Sequence, residues 1–199
     1  MPHAQPMSHH FVTMAHNNAW SNHRLLNACA RLSPAEFAAP RTGFFPSILA
    51  TLNHIVTVDW LYVDALEREA RGEPPHPDYV PAFFTPREPF DACAPLQQAQ
   101  RAVDRRLIDY CLALRDDALA RAVTIVRRAG PQTDTRLRLL NHLFQHQTHH
   151  RGQVHAMLSG TPVAPPQLDE FFCTMDAPLR EQEFAELGFS EAAIWGPPG

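Results

Sequence analysis

No stretch of the 199-residue chain reaches about 18 consecutive apolar residues, which excludes a membrane-spanning helix. The amino terminus, Met1-Pro2-His3-Ala4-Gln5-Pro6, lacks both the charged start and the apolar run of a secretory signal, so the expected location is the cytoplasm. Basic clusters are missing too: the formal net charge is −4 and the arginines are scattered, so there is no electrostatic footprint for a phosphate backbone and nucleic acid is not an expected partner. The charged fraction is 19%, below the usual quarter. Four cysteines, Cys29, Cys93, Cys111 and Cys173, lie far apart and form no C-x-x-C pair, which excludes a zinc ribbon and a dithiol redox motif and leaves ordinary reduced thiols. There is no phosphate loop, dinucleotide fingerprint, internal repeat or low-complexity segment.

What remains is a chain with 45% hydrophobic residues, enough for one sizeable core, and 19 prolines that cluster between periodic stretches. Apolar residues recurring at three and four positions predict helices from Ser8 to about Leu32, from Ser47 to about Arg71, from about Phe90 to Leu114, and from a Thr133 or Thr135 cap to Leu158. The expected fold is all-α: a four-helix bundle in one domain over residues 1–199, with its core at about 8–165 and a C-terminal extension at 166–199. A short helix from Pro178 to Leu187 is expected in that extension. Residues Glu73 to Pro89 hold six prolines and three aromatics, and read as an ordered loop lying on the bundle. Ala120 to Arg127 reads as a short strand-like piece before a Gly130-Pro131 turn.

The chain has twelve histidines, and four fall in nine positions of the fourth helix, in Asn141-His142-Leu143-Phe144-Gln145-His146-Gln147-Thr148-His149-His150-Arg151-Gly152-Gln153. Residues four apart on a helix differ by about 40° and lie one turn apart, so His146 and His150, or equally His142 and His146, can aim two imidazoles at one point. That is the spacing of helical H-x-x-x-H zinc chelates. His149 lies about 100° from His150 and points elsewhere. A third ligand must come from another helix, and His54 is the natural candidate, because an unpartnered imidazole beside Leu52, Ile55 and Val58 would be costly to bury. A satisfied core or surface histidine is the plainer reading of any one of these residues.

At these residues the chain resembles the DinB family. The resemblance rests on Phe45-Pro46-Ser47-Ile48, Thr51-Leu52-Asn53-His54-Ile55, Asp59-Trp60-Leu61 and the His142–Gln153 stretch, with Asn18-Ala19-Trp20-Ser21-Asn22 as the family's first helix; it spans about residues 10 to 165. It implies a three-histidine site between helices two and four, carried over as His54, His146 and His150, and a homodimer. It also implies one divalent metal ion per chain, zinc or nickel first, with iron, manganese or copper as alternatives.

Three neutral nitrogen ligands leave a coordination position open to water or a small-molecule substrate, a catalytic type of geometry. Two function classes are expected: a metal-dependent enzyme, either a hydrolase or a small-thiol S-transferase, or a non-catalytic bundle tied by its metal and serving binding or stress response. Gln147 follows His146 where a zincin has its catalytic Glu, which argues against a peptidase. Asp59 and Asp64 lie about 140° and 80° from His54, so no general base is assigned. Arg151 and Gln153 either orient substrate, support the imidazoles, or make interhelical or dimer hydrogen bonds. Gly152 inside a helix predicts a close approach by neighbouring backbone, and Trp20, Trp60, Phe44 and Phe45 are expected as core or dimer contacts.

Overall fold

The computed structural model describes residues 5–127 and 129–196. Four long helices dominate it: α1 (Met7–Cys29), α3 (Ile48–Ala70), α5 (Cys93–Leu112) and α6 (Arg136–Leu158). Helix α1 packs on α5, α5 on α3, α3 on α6 and α6 back on α1, so each long helix turns an apolar stripe inward. Start signals lie where the sequence puts them. Ser47 accepts a hydrogen bond from the backbone N–H of Ala50 at 3.0 Å, and Thr135, rather than Thr133, caps α6 by accepting from Arg138 N at 3.3 Å. The first and third helices are shorter than their periodicity predicts by a turn or less at the ends.

The interior holds two large clusters. One joins Phe11, Ala15, Val56, Tyr62, Val63, Leu66, Leu107, Cys111, Leu140 and Leu143; the other joins Leu25, Leu26, Cys29, Ile48, Leu52, Ile55, Leu96, Val154 and Leu158. Among the described residues no helix is long and apolar enough to cross a membrane.

Five features depart from the sequence reading. The strand-like piece is real, β1 (Ala122–Arg127), but its partner β2 (Gly130–Thr135) was not expected, so the structure is not purely helical. The two strands pair antiparallel, with Val123 opposite Asp134 and Ile125 opposite Gln132. Val123 and Ile125 are buried while β2 is almost wholly polar, so only one strand carries an apolar signal. The proline-rich segment does lie on the core, through Tyr79, Phe83 and Phe84, but these form a short helix, α4 (Tyr79–Phe84). Another short helix, α2 (Pro34–Ala38), follows Ser33 in a capping box with Glu36.

The C-terminal part contains the expected helix as α7 (Ala177–Leu187) and adds α8 (Glu191–Trp195). Both fold back on α1, where Phe171, Phe184 and Ile194 enclose Trp20. Arg24 fastens the contact, donating to Glu183 at 2.8 Å and to Glu170 at 2.6 Å with its guanidinium 4.4 Å from the Trp20 ring centre. Finally, Gly152 is not closely approached: a Cβ there would meet nothing within 4 Å. Packing does not explain a glycine at this helical position.

Candidate metal centre

Histidine 54 sits one and a half turns into α3, on the side that faces α6. The neighbouring Leu52 and Ile55 are buried, whereas His54 is half-buried at the edge of the core. On α6, His146 and His150 stand one turn apart and aim at the same point. The three offer one ring nitrogen each, all within 4.8 Å of one another. His54 Nε2 and His146 Nε2 are 3.0 Å apart. Two nitrogens each bound at about 2.1 Å lie roughly 3.0 to 3.4 Å apart at bond angles of about 90 to 109°, so this spacing fits a shared metal. Of the two helical pairs left open by spacing, 146/150 converges with His54. His142 does not join the cluster; its ring lies 6.2 Å from that of His146 and 5.4 Å from that of Tyr62.

The electrostatics favour lone pairs over charge. Burial presses the His54 imidazole down to about 4, with the neighbouring His150 and Arg87 acting in the same direction. Burial presses His146 down to about 3, with His150 and His54 adding to it. The same cause lowers His150, against a hydrogen bond to Gln153 that favours the charged form. All three rings are therefore neutral at pH 7, as metal ligation requires. His146 Nδ1 is buried without a hydrogen-bond partner among the described residues.

Arg151 and Gln153, in the R-G-Q string after His150, divide their roles. Gln153 supports the cluster: its Oε1 accepts from His150 Nδ1 at 2.8 Å, which leaves Nε2 of that ring for a metal, and its Nε2 contacts His149 Nε2 at 3.1 Å. His149 is exposed and lies outside the cluster, as its angle predicts. Gln153→Leu is expected to weaken metal binding by about 10- to 100-fold while leaving the helix content unchanged, measurable by competition with a chromophoric chelator. Unchanged affinity would mean that the bond to His150 does not matter to the site.

Arg151 instead points into the interior, donating to Asn18 Oδ1 and, at 3.0 Å, to Asn22 Oδ1 on α1, and at 3.3 Å to Gln147. Gln147 thus faces inward as well. Asp104 on α5 accepts from Asn18 and Asn22 at 3.0 Å and from Gln100 at 3.1 Å, and Gln100 donates to Asp59 on α3 at 2.8 Å. These side chains form a buried polar layer through all four long helices. Sequence reasoning missed it, although Asp59 among the apolar positions Val56 and Val63 was a visible signal. Burial pushes Asp59 up to about 7 and Asp104 up to about 6.

The rim of the cluster is aromatic. Phe45 lies 4.5 Å from the His54 ring and 5.5 Å from that of His150. Phe44 is not a core residue; it is 79% exposed, with its ring 6.5 Å from His150. Trp20 is in the core and Trp60 half-buried against it.

A mainly helical protein with three neutral imidazoles converging between two of its long helices falls in the class of helical proteins that could hold a metal ion between helices. Within that class the chain belongs to the DinB family, whose sequence model matches residues 7–183, nearly the whole chain and well into the C-terminal part. No curated protein matches it.

Proposed function

We propose that this chain is a metal-dependent DinB-type enzyme, a hydrolase or a small-thiol S-transferase, that binds one divalent ion through His54, His146 and His150. The observation that carries the reading is the convergence of three neutral ring nitrogens within 4.8 Å, on rings of which two are only half-buried. Three protein ligands leave coordination positions for a small molecule, the arrangement of catalytic rather than structural sites. Zinc or nickel is the expected ion, given three imidazoles and no carboxylate or thiolate among the ligands. Bound there, the ion would lower the pKa of a water or thiol that reaches it and so supply a nucleophile near neutral pH.

The chain's own groups favour the thiol branch. Hydrolysis profits from a carboxylate base beside the nucleophile, but the α3 carboxylates are committed elsewhere: Asp59 is buried against Gln100, and Asp64, ten residues beyond His54, accepts from Arg68 at 2.8 Å. A thiolate needs no such base. The residues then act by position: His54, His146 and His150 hold the ion, Gln153 orients His150, and Phe45 excludes water from one side of the ligands. The four long helices are read as the family's four-helix bundle, in one domain that pairs with a second copy.

The test is elemental mass spectrometry on protein purified without immobilised nickel, for the wild type and for His54→Ala, His146→Ala and His150→Ala. The expected result is close to one ion per wild-type chain and a large loss in each variant. Wild-type protein without metal, or variants that keep it, would overturn the reading; metal bound with no exchangeable ligand position would leave a non-catalytic, metal-tied bundle.

A further inference from the structure

One turn of α6 before His146, a second polar site opens between α3, the β1–β2 hairpin and α6. It is a cavity of about 240 Å³ lined by Tyr62, Arg127, Gln132, Thr133, Arg138 and His142, among others. Arg127, at the end of β1, donates to the Tyr62 hydroxyl, and its guanidinium lies 5.8 Å from that ring's centre. Among the described residues Arg127 makes no ion pair. The Tyr62 ring is buried, and because its oxygen accepts from Arg127, its own O–H proton remains to be given to something else. Arg138 is balanced by Asp134 at 3.4 Å, and Asp134 also accepts from the backbone N–H of Thr135. Among the described residues lining the cavity, the charge therefore sums to one uncompensated cation, Arg127, beside a phenol donor and an imidazole.

We infer that Arg127, Tyr62 and His142 form a subsite for an oxyanion, a carboxylate or phosphate, on the molecule that reacts at the histidine cluster. The inference rests on the proposed metal site for its second half only. His142 is the shared wall: its ring is 5.4 Å from Tyr62 and 6.2 Å from His146. Four residues of helix rise about 6 Å, so one small molecule with its reactive atom several bonds from its acidic group can reach both places. The donors suit the ligand. A guanidinium fork and a phenol O–H present complementary donors to a planar or tetrahedral oxyanion, and a half-buried Arg without a carboxylate partner gains most from one. Asp134 pairs with Arg138, so Arg127 is the cation left for the anion.

Two measurements separate the subsite from the metal reading. In the first, inorganic phosphate and acetate are titrated into protein stripped of metal, and the ring C–H resonances of His142 are followed by NMR, with His142→Gln used to assign them. Saturable shifts are expected in the wild type and not in Arg127→Gln, with Tyr62→Phe intermediate; the stronger of the two anions identifies the group. Absent or non-saturable shifts, or shifts that persist in Arg127→Gln, overturn the subsite whatever the metal does.

In the second, cobalt-loaded protein is titrated with 6-mercaptohexanoate and with 6-mercaptohexanol, and the thiolate-to-cobalt absorption band reports binding. The acid is expected to bind about tenfold or more tightly than the alcohol, an advantage that Arg127→Gln removes. Equal binding of acid and alcohol to the wild type would show that the subsite and the metal do not share a ligand, and would overturn the inference. Protein that takes up no cobalt would count against the metal reading, and the first measurement would then decide the subsite alone.

Discussion

Arg151→Met is expected to cost about 3 to 5 kcal/mol of folding stability at pH 8, a large fraction of the roughly 5 to 15 kcal/mol that holds an ordinary domain together. The reason lies in the charges of the buried layer. Arg151 is the cation among two buried carboxylates, Asp59 and Asp104, and desolvation presses its own guanidinium down to about 10, with both carboxylates opposing that shift. Removing it leaves two acids facing each other with only amides for company. Met matches the volume of the Arg stem, so cavity formation is a small part of the cost. The Asn18, Asn22 and Gln147 oxygens it served also lose a donor.

The electrostatic origin makes the loss depend on pH. At pH 5 both carboxyls of the variant keep their protons, the repulsion disappears, and the penalty should shrink by more than half. Urea denaturation of chelator-treated wild type and variant at the two pH values checks this. A penalty equal at both would mean that lost packing or lost hydrogen bonds, not charge, are responsible.

How much of this was open to reading depends on which signal each element carries. The long helices were legible because each turns a stripe of Leu, Ile, Val and Ala to the core. His54, His146 and His150 were legible because an imidazole in an apolar helix and a pair at i, i+4 each ask for a partner, and the structure brings them together. Strand β2 was not, since Gln132, Thr133 and Asp134 alternate nothing apolar and the strand exists by pairing with Val123 and Ile125 on β1. The docking of α7 and α8 on Trp20 depends on contacts more than 140 residues apart in sequence, such as Arg24 with Glu170 and Glu183, which no local pattern encodes. For Arg151 the sequence left several roles open, and the structure bears out the interhelical one: it lies about 100° from His150 around the helix and so belongs to the interior, where it donates to α1.

The angle that took Asp59 away from the metal also buries it, and this gives the second large effect. Asp59→Asn is expected to make the protein more stable than the wild type, by a margin that grows with pH. Burial, with Asp104 adding to it, raises the folded Asp59 pKa from 3.8 to about 7. Between those values the folded state holds a proton that the unfolded state has released, so the unfolded state binds fewer protons and stability falls as pH rises. The contribution is most favourable below about pH 4, and the loss is complete above about pH 7. An amide keeps an oxygen to accept from Gln100 and has nothing to ionise. The three histidines titrate in both proteins and cancel in the difference, provided metal is removed by chelation. The variant's advantage should therefore increase by about 2 to 3 kcal/mol between pH 5 and pH 8 and then level off. A difference that stays flat across that range would show that Asp59 is ionised in the folded protein at pH 5, and that Arg151 compensates both carboxylates at once.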